Sequence, residues 1–265
     1  MGTDCMRFRI PVLAIAGLAF LVGCATDGVE EYDPTRDWSA EKLYREAKRK
    51  LERREYLSAV EYFETLESRY PFGEYTQQAQ LDIAYAYMQQ DEFENAISAA
   101  DQFIKLHPRH KAVDYAYYIK GLCNFSRGQS TMERLFPRDM SRVDQSWLKS
   151  AFADFDTLIR RYPNSTYVAD AKQRMVYLRD QMAHHELLTG EFYYGRGAMV
   201  AAVNRAKYLI EHYDRTPYTA DALALMAKAY TAMGKSQLAQ ETLDILALNN
   251  PDHDALQPAA LSIDE

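Results

Sequence analysis

The sequence predicts an all-α fold, a superhelix of five helical hairpins stacked as an α-solenoid. Three observations carry that prediction. From Ser39 onward apolar residues recur at helical spacing, with almost no alternating strand pattern. A motif of alanine, bulky residue and turn recurs five times along the chain. Two of the steps between copies are equal, at 37 residues: Ala59 to Ala96 and Ala202 to Ala239.

The chain opens on an address. Arg7 and Arg9 precede an apolar run from Ile10 to Val22, which closes on Leu21-Val22-Gly23-Cys24. Thirteen residues at ~1.5 Å each reach only ~20 Å, short of a ~30 Å hydrocarbon core. A charged start, a short apolar run and small residues before a cut read as a secretory signal over residues 1–23. The apolar-apolar-Gly-Cys ending resembles a bacterial lipobox. It implies cleavage before Cys24 and acylation there, and two or three acyl chains hold a protein firmly on a membrane. Ala25 stands where an aspartate is the inner-membrane retention signal of the enterobacterial rule, so the outer membrane is the expected home. Residues 24–38 are polar, with Asp27, Gly28, Glu30, Glu31, Asp33 and Pro34, and read as a tether.

The repeats follow. Pro71, Pro108, Pro163 and Pro251 each lie twelve residues after an alanine: Ala59, Ala96, Ala151 and Ala239. Seven beyond each alanine stands a larger apolar residue, namely Leu66, Phe103, Leu158 and Leu246. Ala47, Ala84 and Ala227 supply a small residue in the preceding helix. Pro71 and Pro163 are followed at +4 and +8 by Tyr75, Ala79 and by Tyr167, Ala171. Asp214 takes the proline place before Tyr218 and Ala222, which puts Ala202 in the alanine column. Small side chains let antiparallel helices approach, bulky ones fill the gap, and proline removes an amide donor and ends the helix. This is the pattern of tetratricopeptide-like hairpins.

The unequal steps locate insertions. Ala96 to Ala151 carries 18 residues in excess and Ala151 to Ala202 carries 14. The first excess lies near Ser126–Ser146, with Gly128 and Pro137, and reads as a loop. The second lies around Gln181–Gly197 with few helix breakers, so it predicts a long helix beginning near Tyr167, about four turns longer than its neighbours. Repeats one to three thus span 39–163 and repeats four and five span 164–251. Residues 252–265 read as a frayed acidic tail.

Composition narrows the function. The formal charge is −7, and removal of Asp4, Arg7 and Arg9 with the signal leaves −8, which argues against nucleic acid as a partner. The one basic cluster (Lys48, Arg49, Lys50, Arg53, Arg54) is interleaved with Glu46, Glu52 and Glu55 and reads as a solvated helix face. With Cys5 removed and Cys24 acylated, Cys123 stands alone, so stability rests on packing and not on disulfides. Cys123 reads as a small buried hydrophobe.

No catalytic residue is expected, nor any metal or cofactor. His184-His185-Glu186 places adjacent imidazoles about 100° apart on a helix, and His107 and His110 flank a turn with no acidic or thiol ligand nearby. Gly190, Gly195 and Gly197 are too dispersed for a phosphate loop. A helical array instead offers a groove to an extended peptide or a second domain. The twenty tyrosines suit such a groove, although each also suits packing between repeats.

Arg69-Tyr70-Pro71-Phe72-Gly73-Glu74-Tyr75, followed by Gln77, Gln78, Leu81 and Tyr85-Ala86-Tyr87, resembles the BamD family of outer-membrane protein assembly lipoproteins. So do Arg161-Tyr162-Pro163-Asn164-Ser165 and Glu191 to Ala198 leading to Val203-Asn204-Arg205. The similarity runs from about residue 39 to 251. It implies a non-catalytic scaffold of the β-barrel assembly machinery, with unfolded outer-membrane protein precursors bound at the N-terminal repeats. The C-terminal repeats would dock a POTRA domain of the barrel-forming subunit, and accessory Bam lipoproteins are further partners. Carried over, Arg69, Tyr70, Phe72, Tyr75 and Tyr85 are substrate-binding candidates. Arg196, Gly197, Asn204 and Arg205 are partner-binding candidates, with the Arg196 guanidinium suited to a carboxylate. Pro71 and Phe72 equally fit a turn, and Gly197 a bend. One departure lies near Met199, where members of the family carry a tryptophan. The alternative is a pilotin-like tetratricopeptide lipoprotein assisting a secretin or pilus component. A cell-wall hydrolase is disfavoured by the missing constellation.

Overall fold

The alanine columns do what their size allows. In a computed structural model that describes residues 33–127 and 145–257, Ala59, Ala96, Ala151, Ala202 and Ala239 are all buried. So are the bulky residues seven positions on, Leu66, Phe103, Leu158, Leu209 and Leu246. Burying a Leu or Phe side chain contributes about 1.5–3 kcal/mol, so each hairpin is held by its own copy of the motif.

Among the described residues ten α-helices and no strand are present. They pair as α1 (Ala40–Glu52) with α2 (Tyr56–Arg69), α3 (Glu74–Gln89) with α4 (Phe93–Leu106), and α5 (Val113–Ser126) with α6 (Ser146–Arg161). Then come α7 (Val168–Gly195) with α8 (Met199–His212) and α9 (Thr219–Ala232) with α10 (Ser236–Asn249). Each hairpin also packs on the next, giving the five-hairpin α-solenoid that the repeat spacing predicts. Cys24 and the signal lie outside the described residues, as does most of the Ser126–Ser146 insertion. Residues 33–38 form a turn in which Asp33 Oδ1 accepts from the Thr35 amide and hydroxyl at 2.8 and 2.6 Å.

Two turn geometries repeat. Between the helices of four hairpins one residue takes the left-handed conformation: Arg54 (φ 62°), Asp91 (φ 60°), Gly197 (φ 75°) and Gly234 (φ 69°). The next amide donates back to the closing turn of the first helix, from Glu55 to Lys50, Glu92 to Tyr87, Ala198 to Tyr193 and Lys235 to Tyr230, at 2.9–3.0 Å. These are Schellman caps. Between hairpins, Tyr70, His107, Tyr162, Tyr213 and Asn250 close the second helices with extended φ of −126° to −140°. Four of them precede proline, which excludes the helical conformation there. Tyr213 precedes Asp214 and adopts the same geometry.

The long helix is present: α7 has 28 residues and Tyr167 is its N-cap. Gly190 lets α8 and α9 approach it, since a Cβ there would lie 2.8 Å from Leu225 Cδ2. Cys123 is buried, and burial pushes its thiol up to about 12. The tail departs from the frayed expectation over its described part. Asp254–Leu256 forms a 3₁₀ turn, Ala255 is buried against Ala220, Leu223, Ala224 and Leu246, and His253 Nε2 lies 3.1 Å from Asp221. Ala255 and Leu256 cover apolar surface of the fifth hairpin.

Candidate functional site

The N-terminal candidates gather around the turn from α2 to α3. Arg69 ends α2, Tyr70 caps it, and Gly73 (φ 132°) allows the chain to swing into α3. The Thr76 hydroxyl in the first turn of α3 donates to the Tyr70 carbonyl and pins the loop. What this ordered turn displays is Phe72, 91 % exposed, with Tyr70 and Tyr75 also exposed beside it. A phenyl ring displayed in water on a hydrogen-bonded turn is apolar contact area whose backbone is already ordered.

Tyr75 leads inward. Its ring lies 5.4 Å from that of Tyr44 on α1. Tyr44 donates to Asp82 Oδ2 at 3.0 Å, and Lys48 reaches Asp82 Oδ1 at 3.2 Å. Asp82 is only 7 % exposed, and burial outweighs these partners and raises its pKa above the ordinary carboxylate value. Lys48 therefore does more than solvate a helix face, because it links the first hairpin to the second.

Tyr85, one turn further along α3, is half-buried against the main core and not displayed like Phe72. It neighbours Tyr115 of α5, whose phenol is raised by burial, then by Tyr167, then by Tyr85. Tyr167 lies 5.3 Å from Tyr115 and stacks on Tyr118 at 4.6 Å and 17°. Tyr118 donates to Asp170 Oδ2 at 2.6 Å, and Arg174 Nε meets the same oxygen at 2.5 Å. Burial, then Asp170, raises the Tyr118 phenol to about 12. A chain of tyrosines thus runs across the first helices of hairpins two to four. Sequence reading named Tyr85 of this chain as a binding candidate and Tyr167 only as a hairpin-entry position, and it passed over Tyr115 and Tyr118. The usable signal was the recurrence of tyrosine at the start of α3, α5 and α7.

The C-terminal candidates separate by environment. Arg196 caps α7, is exposed, and sets its guanidinium 5.2 Å from the Phe192 ring centroid. No carboxylate among the described residues pairs with it. Gly197 occupies the left-handed position of the Schellman cap, so its conformation accounts for glycine there. Asn204 is exposed on α8. Arg205 is engaged: its Nη1 donates to Glu186 Oε2 at 3.0 Å, and Glu186 is buried. Arg196 and Asn204 face outward, whereas Arg205 ties α8 to α7.

The histidines serve packing. His184 stacks on Tyr218 at 4.5 Å and 4°, and His107 Nε2 lies 2.8 Å from Gln80 Oε1. Among the described residues no three His, Cys, Asp or Glu side chains are grouped so as to hold a metal ion, and no helix is long and apolar enough to cross a membrane.

Residues 36–245 match the YfiO family model, described as an outer membrane lipoprotein. The outer membrane protein assembly factor BamD of Neisseria meningitidis is 43 % identical over 245 residues, covering 92 % of this chain and 91 % of the relative. That of Vibrio cholerae is 35 % identical over 235 residues, covering 89 % and 96 %. That of Xylella fastidiosa is 35 % identical over 241 residues, covering 91 % and 82 %. The chain belongs to the BamD family and is a non-catalytic assembly factor for outer membrane proteins.

Proposed function

We propose that this chain is a lipid-anchored scaffold of the β-barrel assembly machinery, with two binding surfaces at opposite ends of its hairpin array. Acyl chains on Cys24 hold it to the outer membrane, facing the periplasm. The N-terminal surface receives unfolded barrel precursors, and the C-terminal surface docks a POTRA domain of the barrel-forming subunit. Accessory Bam lipoproteins bind elsewhere on the array.

The observation that supports this most is the displayed Phe72 in its hydrogen-bonded Tyr-Pro-Phe-Gly turn, next to Tyr70 and Tyr75. Barrel strands alternate apolar and polar residues and carry aromatic girdles, so an unfolded precursor offers rings that such a turn can hold. At the other end the exposed Arg196 has no carboxylate partner among the described residues and suits an acidic residue of a docking domain.

Affinity purification from detergent-extracted membranes tests the reading. The wild-type chain should recover a POTRA-bearing barrel subunit, and Arg196→Ala should reduce that recovery while leaving helicity unchanged. Recovery of a secretin in place of a barrel subunit would replace this reading with the pilotin-like one. Cys24→Ser should move the protein from the membrane to the soluble fraction, and unchanged fractionation would remove the anchor.

A further inference from the structure

A groove of about 380 Å³ lies where α6, the middle of α7 and α8 meet, outside both surfaces just described. Phe152 of α6 and Met182 of α7 wall it, and Met182 is buried. On the α8 side the ring of Tyr208, 37 % exposed, stacks on His212 at 4.0 Å and 20°. Tyr208 also meets buried Tyr213 edge-on at 6.0 Å and 72°. Burial, then Tyr208, pushes the Tyr213 phenol up to about 12, so the floor keeps a neutral hydroxyl.

The two charged residues among the described lining, Lys149 and Arg179, are both basic. Lys149, in the first turn of α6, is exposed, and no carboxylate among the described residues pairs with it. Arg179 also lines the groove and is committed to Asp214 beside it, at 2.6 Å to Oδ1. Among the described residues no carboxylate lines the groove itself, in a chain of net charge −7. The concavity beside Asp221 is the contrast, since Glu191, Asp221, Asp252 and Asp254 all line it.

We infer that this groove docks an acidic peptide segment bearing an aromatic side chain. The ring lies against Phe152 and Tyr208, and a neighbouring carboxylate meets Lys149. Aromatic walls favour an aromatic guest through offset and edge-on contacts. A charge pair beside apolar walls is screened less than one in open water. The volume sits at the small end of ligand pockets, which suits one or two side chains. It is short for a lipid acyl chain, and helical arrays offer such grooves to extended peptides. The inference stands apart from the precursor and POTRA assignments.

The test is a titration of the detergent-solubilised full-length protein with a capped Gly-Ser-Glu-Phe-Asp-Phe-Gly-Ser peptide. A control peptide carries lysine in place of both acids. The acidic peptide should saturate a single site and the control should not. Lys149→Glu and Tyr208→Ala should each weaken binding by about tenfold, with unchanged far-UV circular dichroism. Equal binding of both peptides, or wild-type affinity in Lys149→Glu, overturns the inference. Binding to phosphatidylglycerol vesicles that depends on Lys149, with no peptide bound, overturns it in favour of a lipid site.

Discussion

Arg205 on α8 lies 3.0 Å from Glu186 on α7, and the carboxylate that it meets is only 7 % exposed. The two helices of the fourth hairpin are therefore joined by an ion pair that is buried on one side and half-open on the other.

Removing the arginine strands that carboxylate. Breaking a buried pair costs about 3–5 kcal/mol, and the exposure of Arg205 lowers the expected loss for Arg205→Ala to about 1–3 kcal/mol. Urea denaturation measures it. Adding Glu186→Gln should restore about half of the loss, and an additive double mutant would falsify the coupling.

The shared Schellman position makes opposite predictions at different sites. Gly197→Ala forces a Cβ into the left-handed region and should cost about 1–2 kcal/mol. Arg54→Gly relieves the same strain in the first hairpin and should raise stability by about 0.5–1 kcal/mol. Thermal melts of the two variants should shift in opposite directions.

Asp82 predicts a pH signature. Its folded pKa is raised, chiefly by burial, so the folded protein holds this proton more tightly than the unfolded chain. That contribution is fully present below the unfolded value and is lost as pH rises through the folded one. Asp82→Asn removes it, so the stability of the variant relative to wild type should climb as pH rises from the ordinary carboxylate value of 3.8. Denaturant midpoints across that range decide the sign.

Phe72→Ser should leave stability within about 0.5 kcal/mol, because the ring packs against almost nothing. It should weaken binding of an unfolded barrel-precursor peptide by about tenfold, as for an interface anchor. Fluorescence anisotropy with a labelled C-terminal precursor peptide reads this directly.

Gly121 packs against Phe155. A Cβ at Gly121 would stand well inside contact distance of the Phe155 ring, which is fully buried. Gly121→Ala should cost about 1–3 kcal/mol by overpacking, and Phe155→Leu in the same chain should recover part of it, as measured by calorimetry.

Much of the array was legible because its signals are local. The alanine, bulky and turn columns lie within a dozen residues of one another, and the surplus spacing before Ala202 was enough to announce the 28-residue helix. The Schellman position was not legible. Glycine marks it at Gly197 and Gly234, but Arg54 and Asp91 fill the same place, so no single residue type marks all four. The described start of the tail departs from a frayed end because most of the apolar surface that Ala255 covers belongs to α9, about thirty residues earlier.

The sequence by itself determined the helical hairpins, their number, the long helix of the fourth hairpin and the family resemblance, since each is written in short-range periodicity or in short motifs. Only the tertiary structure decided which candidates face outward. It displays Phe72 and Arg196, and it commits Arg205 to Glu186. It also draws Lys48 to an aspartate 34 positions away. Those outcomes depend on the register of one hairpin against the next. That register is set by packing across helices, and no window along the chain contains it.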